Sequence, residues 1–275
     1  MSNFSAESEN DKPMPAGEAV GPLTEELYYA LRNCYTIEPI PPRYPEFTID
    51  DAYAVSLGML ERRREAGETV IGKKIGVTSK AVQNMLNVGQ PDFGFLTDAM
   101  QVANGAQVKI AGHLIQPRAE AEIAFRLGQA LKGSDISETD VAAATEGVYA
   151  CFEIVDSRIR DWKIGIEDTI ADNASCGVFV LGDEMVPLNG LNLLEVEAVV
   201  HKNGKLLSRG LGAAAMGSPL KCVAWLARAL ARYDMGLEAG DIVLSGSLVP
   251  LEPAKSGDHF MLEMGRVGSA SVRFN

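Results

Sequence analysis

The chain has 275 residues, 47% of them hydrophobic, and a formal net charge of −12 from 25 basic and 37 acidic side chains. That length suffices for one large domain or two small ones with a substantial core. The acid excess argues against nucleic acid or an anionic membrane as partner, since both demand a basic face, and no stretch approaches the ~18 apolar residues of a membrane-spanning helix.

Residues 1–20 are polar, with Ser, Asn, Glu, Pro and Gly, and predict a flexible tail without the basic start and apolar centre of a signal peptide. TEELYYAL predicts a helix from Leu23 to about Leu31, capped by Thr24, and the Pro-rich IEPIPPRYPEF closes it. A second helix starts at Thr48, where T-I-D-D places an acid three positions after a capping hydroxyl, and runs through Arg62–Arg64 to Gly67. These two helices are expected to form an N-terminal part over 21–68, set beside a mixed-β core over 69–275. VIGKKIGV predicts a strand, SKAVQNMLNV a short helix capped by Ser79, and QPDFGFLTDAM a turn-rich loop. Short β-like runs follow: AQVKIA, EAEIAFRL, CFEIVDSRI, CGVFVLG, VEAVVHKNGKLL, DIVLSGSLV, HFMLEM and ASVRF. Asn203-Gly204 marks a hairpin turn. Helices are expected near Thr139–Gly147 and from Ser218–Pro219 to about Tyr233. Strands outnumber helices and do not alternate with them, which favours an α+β fold around a curled, mixed sheet over a Rossmann or TIM architecture.

Cys34, Cys151, Cys176 and Cys222 are widely spaced and read as reduced thiols. With three histidines in the chain, the acids are the more informative inventory. In R-A-E-A-E-I-A-F, strand alternation sends Ala119, Ala121, Ile123 and Phe125 to one face and Glu120 and Glu122 to the other. Two carboxylates so placed stand about 6–7 Å apart; they read either as a solvated strand face or as ligands drawn together by a cation. Glu153 lies in the apolar run G-V-Y-A-C-F-E-I-V, where burial requires a partner: a metal ion, or an arginine such as Arg158. Three carboxylates without histidine or thiol make an oxygen-only site suited to Mg²⁺ or Mn²⁺. Lys73 and Lys74 point to opposite faces of their strand, so one faces a core or site and the other solvent. Asp92 in Q-P-D-F-G reads by itself as a turn cap, A-D-N-A-S-C-G as an Asx-rich loop, and S-G-S at 245–247 as a turn whose N–H groups and hydroxyls could hold a carboxylate. The chain carries no G-x-S-x-G elbow, P-loop or dinucleotide fingerprint.

The motifs I-G-K-K-I-G-V-T-S-K-A-V-Q, Q-P-D-F-G, Q-P-R-A-E-A-E-I-A-F, F-E-I-V-D-S-R-I, D-T-I-A-D-N-A-S-C-G and L-S-G-S-L-V-P-L-E-P together resemble the 2-keto-4-pentenoate (2-hydroxypenta-2,4-dienoate) hydratases of meta-cleavage pathways, within the fumarylacetoacetate hydrolase superfamily. The resemblance runs from about residue 22 to the C-terminus. It implies a mixed β-sheet rolled into a barrel-like core, as in the C-terminal part of fumarylacetoacetase. It implies a divalent metal on Glu120, Glu122 and Glu153, with Lys74 and Asp92 as catalytic groups and Ser247 as a substrate contact. The implied substrate is a small 2-oxo or 2-hydroxy dienoic acid, handled in the cytoplasm by a homo-oligomer able to associate with a pathway decarboxylase or aldolase. The nearest rival is a 2-oxo-3-hexenedioate (4-oxalocrotonate) decarboxylase on the same scaffold. A more distant one is a non-catalytic partner subunit of that decarboxylase.

Overall fold

The computed structural model describes residues 16–85 and 88–275. Helix α1 (Ala16–Asn33) begins earlier than expected and runs through Pro22. Its stripe of Ala19, Leu23, Leu27 and Ala30, all fully buried, outweighs the N–H that Pro22 lacks. Thr24 is therefore an interior residue and not the cap; its hydroxyl donates to the Val20 carbonyl at 2.8 Å. Residues 1–15 of the expected tail lie outside the described residues. Helix α2 (Ile49–Glu65) starts as expected. Thr48 Oγ1 accepts from the Asp51 N–H at 3.2 Å and the Asp51 carboxylate accepts from the Thr48 N–H at 3.0 Å, a reciprocal capping box.

After β1 (Val70–Gly76) and α3 (Lys80–Met85), the expected loop at QPDFGFLTDAM contains a strand, β2 (Asp92–Thr97), with all six residues buried. Pairing antiparallel to β1 satisfies its backbone, and Phe93 stacks on Tyr53 of α2 with ring centroids 4.3 Å apart. Tertiary packing here overrides the turn-forming composition. Next come β3 (Gln101–Val102), β4 (Gln107–Val108), the long β5 (Arg118–Leu127), α4 (Glu138–Ala144) and β6 (Thr145–Val155). A short helix that the sequence did not announce, α5 (Ile166–Ala171), precedes β7 (Cys176–Leu181). Then follow β8 (Glu197–Lys202), β9 (Lys205–Leu211), α6 (Pro219–Ala231), β10 (Ile242–Leu244), β11 (Glu252–Pro253), β12 (His259–Glu263) and β13 (Ser269–Phe274). The β8–β9 turn has positive φ at Asn203 and Gly204, as the Asn-Gly pair requires. Ser218 caps α6, accepting from the Lys221 N–H, with Pro219 at its first position.

The strands form two sheets. The first, a curled mixed sheet, has the order β2-β1-β10-β5-β6-β7-β3, with β11 also on β5. The β1–β10 and β3–β7 pairs are parallel and the other pairs antiparallel. The second has the order β4-β13-β12-β8-β9. The two meet where Phe152 lies edge-on to Phe260 and Phe260 to Phe274. Ala119, Ala121, Ile123 and Phe125 enter this large core, which also takes in the apolar faces of α1 and α2. A smaller apolar cluster lies apart from it, containing Leu96, Ala124, Cys151, Phe179, Ile242 and Leu244. Residue alternation along β5 therefore separates this packing face from a second, opposite face. The functional groups stand on that second face.

Candidate active site

The antiparallel register of β5 and β6 sets Glu120 directly opposite Glu153, and Glu122 opposite Cys151. Because opposed residues share a face, all three glutamates stand together, and one oxygen of each lies within 4.8 Å of the others. Glu122 and Glu153 are fully buried and Glu120 is half-buried, which disposes of the solvated-face reading. Arg158 is not the partner of Glu153: it pairs instead with Asp172. Glu122 Oε2 accepts from the Gly246 N–H at 2.8 Å, so the S-G-S loop does hold a carboxylate, one belonging to the protein. Among the described residues, Glu122 Oε1 and both Glu153 oxygens have no hydrogen-bond partner. Burial, and then the neighbouring Glu153, push the Glu120 acid up to about 8 and the Glu122 acid well above its ordinary range.

These features fit a divalent cation. Buried carboxylate oxygens without partners are costly unless something positive meets them. The donor set is oxygen only. Burial holds the nearby Cys151 and Cys176 thiols well above their usual range, so both remain protonated and poor ligands. Hard oxygen donors of this kind suit Mg²⁺ or Mn²⁺.

Lys74 stands beside the glutamates. Its Nζ is 3.1 Å from Glu153 Oε1, an ion pair without hydrogen-bond alignment, and donates to the Ala174 carbonyl at 3.0 Å. Burial alone would depress its ammonium, but Glu153 and then Asp92 more than offset this and hold it charged. Lys73, expected in solvent, is buried too: it points to the opposite side and pairs with Asp241 at 2.6 Å, under the helices that cover that face.

Asp92 caps no turn. It opens β2, paired with Gly76 and fully buried, with Oδ2 accepting from the Thr169 hydroxyl at 3.0 Å. Its Oδ1 has no partner among the described residues and lies where a side chain on Gly76 would be: a Cβ there would come within 2.2 Å of Oδ1 and 3.2 Å of Lys74 Nζ. Burial raises the Asp92 acid, and Lys74 partly counters it. Ser247 is one residue from the Gly246 donor, and its hydroxyl donates to the Val249 carbonyl at 2.7 Å. The structure therefore brings Lys74, Asp92 and the three glutamates together, with Ser247 on the adjoining loop. Thr169 and the Ala174 carbonyl were missed individually. Both lie in D-T-I-A-D-N-A-S-C-G, whose composition suggests a plain loop.

Residues 52–275 match the family described as fumarylacetoacetate (FAA) hydrolase C-terminal. A 2-hydroxyhexa-2,4-dienoate hydratase of Comamonas testosteroni is 53% identical over 251 residues, covering 91% of this chain and 95% of its own. A 2-hydroxypent-2,4-dienoate hydratase of Pseudomonas putida is 58% identical over 216 residues, covering 78% of this chain and 97% of its own. Among solved structures, 4-oxalocrotonate decarboxylase from Pseudomonas putida G7, complexed with magnesium and adipate, superposes with a TM-score of 0.92 at 33% identity, covering 96% of this chain and all of that one. Fold, carboxylate cluster and relatives converge: the chain belongs to the fumarylacetoacetate hydrolase family, in its branch of 2-keto-4-pentenoate hydratases.

Proposed function

We propose that the protein is a hydro-lyase of aromatic catabolism that adds water to 2-hydroxypenta-2,4-dienoate, giving 4-hydroxy-2-oxopentanoate. The observation that carries this reading is the single face holding three opposed carboxylates, a buried charged lysine and an aspartate with a free oxygen, in a chain more than half identical to dienoate hydratases. Glu120, Glu122 and Glu153 would hold Mg²⁺ or Mn²⁺. When bound, the ion supplies Lewis-acid polarisation of the substrate's 2-oxygen and carboxylate.

The chain's own groups account for the proton movements. The 2-hydroxyl proton is lost and one is gained at C5, giving 2-oxopent-3-enoate; water then adds its hydroxyl to C4 and a proton to C3. Lys74, fixed by the Ala174 carbonyl, opposes the negative charge that develops on the oxo acid. Asp92, raised by burial and oriented by Thr169, offers Oδ1 for proton transfer or for positioning water. Ser247 reaches the substrate carboxylate by turning its hydroxyl away from Val249. A cytoplasmic homo-oligomer completes the reading, and light scattering tests its assembly.

Glu122→Gln keeps the Gly246 acceptor and removes one ligand charge. Hydration by this variant should fall by at least ~10²-fold while circular dichroism stays native. Near-normal turnover by Glu122→Gln in metal-stripped buffer would sink the assignment. The likeness to the decarboxylase keeps one competing outcome in view, and it is read directly: CO₂ release from 2-oxo-3-hexenedioate with Mg²⁺ should stay at background while the dienoate is consumed.

A further inference from the structure

We infer that the left-handed turn Asn173–Ser175 is the positioning element that sets Lys74 and Asp92 against the carboxylate cluster, with Asn173 as its key residue. The inference rests on the roles given above to Lys74 and Asp92.

Asn173, Ala174 and Ser175 have φ of 54°, 49° and 52°. Three consecutive residues with side chains rarely adopt this conformation, and it persists where the surroundings over-determine it. Two anchors do so here.

The first is Arg158, three residues beyond β6, the strand that carries Glu153. Its fully buried guanidinium pairs through Nε with the Asp172 carboxylate, and its backbone N–H donates to the same group at 2.9 Å. Nη2 donates to the Asp172 carbonyl at 2.6 Å and Nη1 to the Cys176 carbonyl at 3.1 Å. One side chain therefore brackets the turn at both ends.

The second anchor is the side chain of Asn173. Its Oδ1 accepts from the Phe95 N–H at 2.8 Å and its Nδ2 donates to the Phe95 carbonyl at 3.0 Å. Strand β2 ends the first sheet, and this amide supplies the two reciprocal bonds that another antiparallel strand would have made. The close approach needs Gly94, where a Cβ would lie 2.5 Å from the Asn173 carbonyl oxygen. Between the anchors, the Ala174 carbonyl accepts from Lys74 Nζ at 3.0 Å. The turn thus ties together the strand that opens with Asp92, the lysine on β1 and the end of the Glu153 strand. Asn173 itself is a positioning residue.

Two variants test this. Asn173→Gly suits the left-handed backbone and deletes both side-chain bonds. Asn173→Asp keeps the shape and the acceptor but loses the donor. Expected for Asn173→Gly are a kcat lower by ~10–100-fold, the effect of a small misplacement of reacting groups, with KM and Mg²⁺ affinity within about twofold. Its Phe95 amide should exchange with deuterium at least ~10-fold faster, and Asn173→Asp should fall between it and wild type. A residue that served stability alone would lower Tm and leave kcat per folded molecule unchanged. Wild-type kcat in Asn173→Gly, or unchanged exchange at Phe95, overturns the inference. If the wild-type protein binds Mg²⁺ but hydrates no dienoate, the functional reading fails, and exchange at Phe95 still decides whether Asn173 holds β2.

Discussion

Among the described residues, Glu122 makes one bond, to the Gly246 N–H, and keeps one oxygen free in a fully buried position beside two further carboxylates. Glutamine there preserves the bond and removes an acid that is costly to bury beside two other carboxylates, whether ionised or protonated. In EDTA, Glu122→Gln should therefore be more stable than wild type by about 1–2 kcal/mol in urea unfolding, although it is the less active protein. Mg²⁺ should raise the wild-type midpoint and leave that of the variant nearly unmoved. Lys74→Met works in the opposite direction. It leaves Glu153 and Asp92 buried without their cation, and metal-free stability should drop by about 3–5 kcal/mol in the same titration. A gain for Lys74→Met would mean that the lysine is not what balances the acids. The glutamates were legible in the sequence because strand alternation assigns a face without any tertiary information, and because Glu153 sits in an apolar run. Strand alternation did not choose between Lys73 and Lys74; only the family resemblance pointed to Lys74. Both are buried, and only the pairing of Asp241 with Lys73 and of Glu153 with Lys74 distinguishes a structural ion pair from a site residue.

At the scale of elements, local chemistry decided the helix starts that carry a capping signal. Thr48→Ala removes the α2 box and should cost about 1 kcal/mol in thermal unfolding with kcat unchanged, since α2 caps no site group. Gly76→Ala is the counterpart: its methyl would meet Asp92 Oδ1 at 2.2 Å. Kcat should fall by ~10–100-fold while Mg²⁺ affinity holds, because the glutamates lie on other strands; equal activity would place Asp92 outside the reaction. The elements that were misread share a physical cause. Strand β2 looked like a loop because Pro91, Asp92 and Gly94 are turn formers, yet its order comes from β1, Tyr53 and Asn173, all distant in sequence. Helix α1 runs through Pro22 because its buried stripe outweighs one missing bond. Helix α5 is six residues long, too short for a periodic pattern to emerge.

For the molecule as a whole, the net charge of −12 includes the three clustered glutamates, two of which are harder to ionise than an ordinary carboxyl. Burial and the neighbouring Glu153 push the Glu120 acid up to about 8 and raise Glu122 as well. Between the ordinary carboxylate range and that value the folded protein binds more protons than the unfolded chain, so its stability falls as pH rises. Metal-free wild type should therefore lose thermal stability from about pH 5 to pH 8 more steeply than metal-free Glu122→Gln, and saturating Mg²⁺ should flatten the wild-type profile. Equal slopes in the two metal-free proteins would show that Glu122 is ionised throughout.

The pairing of Glu120 with Glu153 across β5 and β6 has a further consequence for how the chain finds its fold. Sliding one strand past the other by a single residue would send Glu153 to the packing side and leave Glu120 facing an apolar neighbour. An ion held by all three oxygens would be bound by the native alignment and by none of its one-residue slips. Such an ion would therefore favour the correct β5–β6 pairing in proportion to its free concentration. Refolding in Mg²⁺ should accordingly raise the yield of active protein over refolding in EDTA followed by later addition of the same Mg²⁺, with the difference carried by chains trapped out of alignment.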